Sequence, residues 1–259
     1  GDYIRFNEIR GFKSADKRKR RPTVDYNYEE PFELFSSHVY AKGSLILNML
    51  HDVLGDDAFW RSIKHYTAKN KLKNVETVDL KKSIEVTTGQ NLDWFFKQWV
   101  YEPGFPEYDV SWTYNQRNKL LSLHVKQVQD LKTTSLFKMP INVLIDNGTV
   151  EEHVIWVEDL DSVFKIHTDK RPRMVVFNSG LKVPSNLKMQ KSVSDLKYQL
   201  INAPNVLDRI WAAQQLSKKK GRKIVEYALL ESAREDSFWA VRSEAYSSLG
   251  KLKTKANQE

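Results

Sequence analysis

The chain has 259 residues, 41% hydrophobic and 12% aromatic, which suffices for a sizeable core or two to three small domains. Its 41 basic residues stand against 33 acidic ones, and the net charge of +8 favours acidic surfaces. No cysteine occurs, so disulfides and thiolate metal sites are excluded, and no apolar run reaches the length of a membrane span. The compartment stays open. The first residue is Gly1 rather than Met, which suggests a cloning scar or a cut inside a longer protein.

Residues 1–35 read as irregular, punctuated by Gly11, Pro22 and Pro31, with Tyr26, Tyr28, Phe32 and Phe35 as anchors onto something larger. A loop of this length is expected to lie on a neighbour absent from the chain. Lys13 and the basic run Lys17, Arg18, Lys19, Arg20 and Arg21 could form a phosphate-binding or targeting patch, but with no interleaved aromatic to stack on bases a solvated loop is the expectation, with no specific nucleic-acid partner.

The stretch 37–55, SHVYAKGSLILNMLHDVLG, is the element around which the chain is organised. Val39, Leu45, Ile46, Leu47, Met49, Leu50, Val53 and Leu54 put apolar residues at spacings of three and four, which predicts a helix buried on most of its surface. Ser36 or Ser37 can cap it, and Gly55 can end it with positive φ. Tyr40 lies in its first turn, followed by Lys42 and Gly43. A second helix begins at Asp56 and shows Phe59, Trp60, Ile63 and Tyr66. A third covers 78–87, capped by Thr77 and stopped by Gly89. A fourth is capped by Asn91, carries Leu92, Phe95, Phe96 and Trp99, and ends at Pro103 and Pro106.

The period then changes to two. Tyr108, Val110, Trp112 and Tyr114 alternate, then Leu121, Leu123 and Val125. Asn147-Gly148, between the runs 141–145 and 150–157, is the strongest hairpin signal, with positive φ expected at both residues. Short strands at 163–166 and 174–177 bring the count to six and indicate a β-sandwich. From Ser194 the helical period returns. Arg209, Ala212 and Leu216 recur as Arg242, Ala245 and Leu249, 33 positions later (242 − 209 = 33). Such a period marks stacked helix pairs of the HEAT or armadillo type.

Tyr40-x-Lys42-Gly43, then Leu54-Gly55-Asp56 with Phe59, then Phe95-Phe96-x-Gln98-Trp99-Val100 followed by Gly104-x-Pro106 together resemble the zinc aminopeptidases of the aminopeptidase N and leukotriene hydrolase kind, a branch of the gluzincin metallopeptidases. The resemblance covers about 25–115 strongly and the rest by domain order. It implies a multidomain α and β chain: the helical end of a thermolysin-like catalytic domain over 1–105, a β-sandwich over 106–187, and the start of a helical-repeat domain over 188–259. In that family the matching tyrosine donates its phenolic proton to the oxyanion of the tetrahedral intermediate, so the resemblance makes Tyr40 the one catalytic residue here. Lys42 is expected to stay solvated and Gly43 to allow tight helix packing.

A zinc peptidase needs two histidines one helical turn apart with a glutamate between them. None of His38, His51, His65, His124, His153 or His167 begins such a motif, so no metal ligand or cofactor is assigned to this chain. The resemblance implies zinc in a parent protein, with peptide substrates and a missing N-terminal catalytic half as partners. The chain alone is expected to bind no zinc tightly and to have no peptidase activity. An alternative from another class is a non-catalytic scaffold of the same fold, as in a transcription-complex subunit.

Overall fold

The computed structural model describes residues 1–219 and 223–256, with the side chains of 253–256 aside. Residues 220–222 and 257–259 of the expected helical-repeat region lie outside the described residues.

The first element departs from expectation. Asp2–Arg18 is a helix, α1, with Phe6, Ile9, Phe12 and Ala15 buried one turn apart. Arg5, Arg10, Lys13, Lys17 and Arg18 interrupt that stripe in sequence, and Gly11 sits in mid-helix, which together hide the period. Because 2–18 is helical, the long irregular segment shrinks to residues 19–39, with a single 3₁₀ turn at Pro31–Leu34. Tyr26, Phe32 and Phe35 are exposed in it and anchor nothing within the described residues.

Four further helices come next. α2 spans Tyr40–Leu54, α3 Asp56–Lys69, α4 Thr77–Thr88 and α5 Asp93–Phe96. Gly55 and Gly89 both take positive φ where the helices stop, as their positions require. The caps differ in detail. No side chain caps α2; instead the Ser36 carbonyl accepts from the amides of Val39 and Tyr40. Glu76, not Thr77, precedes α4, and its amide donates to Asp79 Oδ2. α5 widens into a π-helical turn at Lys97–Tyr101. There Gln98 Nε2 donates to the Lys138 carbonyl and Gln98 Oε1 accepts from the Lys138 amide, both at 2.9 Å. The helix end is thus hydrogen-bonded to the backbone just before a strand.

Among the described residues seven strands form two sheets. β1 (Glu107–Asn115), β2 (Leu120–Gln127), β5 (Asp161–His167) and β7 (Asn186–Met189) lie in the order β5-β2-β1-β7. β3 (Met139–Asp146), β4 (Val150–Val157) and β6 (Met174–Phe177) lie in the order β4-β3-β6. β7 is the strand that the sequence does not announce; at four residues with no β-branched side chain it carries little signal, and it joins β1 in parallel. The 147–149 loop does close the β3–β4 hairpin, but only Gly148 has positive φ; Asn147 does not. Leu121, Leu123 and Val125 of β2 share one buried cluster with Ile141, Val143 and Ile145 of β3.

That cluster does not stop at the sheets. It continues through Phe95, Phe96 and Trp99 to Leu45, Met49 and Leu50 of α2 and to Ile9 and Phe12 of α1. A second cluster joins α6 (Val193–Asn202), α7 (Val206–Leu216), α8 (Lys223–Glu235) and α9 (Trp239–Ala256). Phe6 of α1 belongs to this second cluster, so α1 spans both cores.

Candidate functional site

Tyr40 opens α2, and its side chain is 63% exposed. Its hydroxyl makes no hydrogen bond to any described residue. The ring lies 6.2 Å from that of Phe35, which lies 5.6 Å from Phe32, so exposed rings lead up to the helix start. α2 is not buried on most of its surface, as its composition suggested. Ala41, Lys42, Leu45, Ile46, Met49 and Leu50 face inward, while Leu47 and Asn48 face out.

Two expectations about the motif around Tyr40 are overturned. Lys42 is fully buried, not solvated. Residues two apart on a helix point about 200° from each other, so an outward Tyr40 drives Lys42 inward. Its Nζ lies 5.3 Å from the centre of the Phe12 ring and donates to the Glu102 carbonyl at 3.3 Å. Burial pulls the ammonium down to about 8, a shift only partly opposed by the negative charge of Asp16. Gly43, in turn, has open space where a Cβ would go, so close helix packing is not its role.

Beneath α2 lies a buried polar group that the sequence did not suggest. Asp16, at the end of α1, accepts from Arg20 Nε at 3.0 Å. His38, 2% exposed, brings Nε2 to 3.6 Å from Asp16 Oδ1, and neither of these two atoms has a hydrogen-bond partner. Arg20 also donates to Thr133 and Thr134 in the loop before β3. The spacing of four between Asp16 and Arg20 is a readable signal, but only on a segment recognised as helical. The turn ahead of β1 is equally constrained. Gly104 has φ of 86°, and a Cβ there would sit 2.6 Å from Thr134 Oγ1. The glycine of the Gly-x-Pro pattern is therefore required by backbone conformation and by a neighbour.

No three His, Cys, Asp or Glu side chains among the described residues are gathered so as to hold a metal ion. The donor set of a zinc centre is not among them, and no step through zinc is derived from these residues.

Residues 6–99 match the family model described as the peptidase family M1 domain. That segment contains Tyr40, Lys42, Gly43, Gln98 and Trp99. Over those residues the chain is similar to the M1 peptidases. The leucyl aminopeptidase of Saccharolobus solfataricus is 26% identical over 202 residues, covering 72% of this chain and 25% of that protein. The aminopeptidase N of Haemophilus influenzae is 26% identical over 206 residues, covering 72% of this chain and 23% of that protein. In three dimensions the chain is similar to the crystal structure of Legionella pneumophila aminopeptidase A in complex with aspartic acid, with a TM-score of 0.76 at 21% identity. That match covers 88% of this chain and 28% of the other. The chain spans about a quarter of the length of the curated relatives it matches.

Proposed function

We propose that this chain serves in a zinc-dependent aminopeptidase of the M1 family that removes N-terminal residues from peptides, and that Tyr40 is its oxyanion donor. The observation that carries this reading is an exposed phenol with no hydrogen-bond partner among the described residues, set at the first turn of a helix whose lysine two positions on is locked into the core. A hydroxyl free of protein partners can donate to an oxygen that becomes negative only in the transition state, which raises turnover more than binding. The amino terminus of α2 adds a partial positive charge on the same side. Zinc would polarise the substrate carbonyl and supply the attacking hydroxide, held by residues of a longer polypeptide that carries this chain. The remaining parts fit the same plan. The two sheets, sharing one core, are read as a β-sandwich. α6–α9 are read as two HEAT-like units, because Arg209 Nη1 donates to the carbonyls of Ala203 and Pro204, six and five residues back, and Arg242 Nη1 does the same to Asp236 and Ser237.

The test is Tyr40→Phe in that longer polypeptide, assayed by release of a chromophore from an aminoacyl anilide. Turnover is expected to fall by about 10²–10³ with a much smaller change in KM. Zinc content is expected to stay at the wild-type level, since a phenol is not among the usual ligands. A variant that keeps half of wild-type turnover would refute the assignment and leave Tyr40 a surface residue with no catalytic role.

A further inference from the structure

We propose that the basic run at the end of α1 forms one wall of a binding site for a small oxyanion of the phosphate class. Of its five cations, Lys17 is exposed and has no part in the site, and Arg20 is engaged by Asp16, Thr133 and Thr134. The other three, Arg18, Lys19 and Arg21, line a cleft of about 360 Å³ together with Ala15, Glu33, Ser36 and His38. Three cations thus line the cleft with the Glu33 carboxylate, of which Arg18 and Lys19 are exposed and Lys19 touches that carboxylate only loosely, at 3.9 Å.

The cleft is built, not merely decorated. Arg21 is 7% exposed, and its Nη2 is fixed by the Glu33 carbonyl and Ser36 Oγ, both at 2.6 Å. Its Nε and Nη1 hydrogen-bond to no described residue. A guanidinium pinned by one edge with its other edge free is preorganised for a planar or tetrahedral oxyanion. His38, 2% exposed, also lines the cleft; its Nε2 lies 3.6 Å from Asp16 Oδ1 and lacks a hydrogen-bond partner. Arg21 and His38 are thus two buried side chains at one cleft whose hydrogen bonding is incomplete, which is costly unless a ligand or solvent completes it. The chemistry suits inorganic phosphate or a phosphorylated side chain of a peptide.

The test is a titration of the full 259-residue chain at constant ionic strength, monitored by the His38 imidazole resonances. Inorganic phosphate is one probe, a short phosphoserine peptide the second, and chloride the control. Saturable shifts with a Kd of about 1 mM or tighter are expected for phosphate, with no saturation by chloride. The double variant Arg18→Gln, Lys19→Gln removes two exposed cations without touching the Arg21 hydrogen bonds, so folding should persist by circular dichroism. It should weaken binding about tenfold or more, whereas Lys71→Gln, on a distant surface, should leave it unchanged. A phosphopeptide bound more tightly than phosphate names a phosphorylated chain as the source of the anion; equal affinity names free phosphate. Non-saturable shifts, or a double variant that binds as wild type, would overturn the site.

Discussion

At the scale of single residues, the side chain with the largest consequence is Lys42, because it is a cation kept where water is excluded. In the unfolded chain its ammonium titrates near 10.4, but in the folded protein near 8. Between those values the unfolded state binds more protons, so stability must rise with pH across that window. Below about pH 8 the whole penalty is present; above about 10.4 it is gone. Converted at about 1.4 kcal/mol per pH unit, the limb amounts to about 3 kcal/mol, of which about 2 kcal/mol appears by about pH 9.5. Lys42→Met keeps the contact with Phe12 and removes the titrating group. Urea unfolding of both proteins at about pH 7 and about pH 9.5 should show wild type gaining on the variant by about that amount. Parallel pH profiles would mean that the ammonium is hydrated after all. Tyr40 is legible from its motif, whereas the fate of Lys42 is hidden by the general preference of lysine for water. The angle between positions two apart on a helix is sufficient to reveal it.

Among elements, those legible in the sequence are the ones with clear punctuation. Gly55 and Gly89 end α2 and α4 because each must adopt positive φ there, and the Pro103–Pro106 segment separates helix from strand. α1 is hidden by its charges. β7 is hidden by its brevity, and its partner β1 lies some 80 residues earlier, a pairing that no local pattern announces. The burial of Asp16, His38 and Arg21 escapes the sequence for the same reason as α1, since it depends on that helix being present. Gly104 offers the sharpest check at this scale. Gly104→Ala forces an L-residue to φ of 86° and drives its Cβ into Thr134. Each effect costs about 1–3 kcal/mol, so about 2–6 kcal/mol of stability should be lost. Thr134→Ser, made in the Gly104→Ala background, trims the Cγ2 that a new Cβ would meet at 2.8 Å and should restore part of the loss. Thermal unfolding of wild type and the two variants reads the result; an unaltered Gly104→Ala would show that the loop moves aside freely.

For the molecule as a whole, domain borders drawn along the sequence do not coincide with the borders of its cores. Phe12 and Phe6, only six residues apart on α1, belong to different clusters: one shared with α2 and the sheets, the other with α6–α9. Asn205 adds a tie at the far end, donating to Asp2 at 3.0 Å. Phe12→Ala and Phe6→Ala should therefore each lower the midpoint of the same cooperative transition, with Phe12→Ala costing about 3–5 kcal/mol. Far-UV and near-UV circular dichroism should move together. Two separated transitions in either variant would mean that the helical array unfolds independently.

Seen mechanically, α1 is a rod with a foot in each core. Tyr3 rests its ring 4.9 Å from Trp239 at the start of α9, and nine residues later Phe12 forms the floor under the Lys42 ammonium. At about 1.5 Å per residue the two points are about 14 Å apart along a stiff axis. A helix transmits axial displacement with little compression, since its hydrogen bonds run parallel to the load. A displacement of α9 along that axis would therefore bear on the floor under Lys42, in the first turn of the helix that Tyr40 opens.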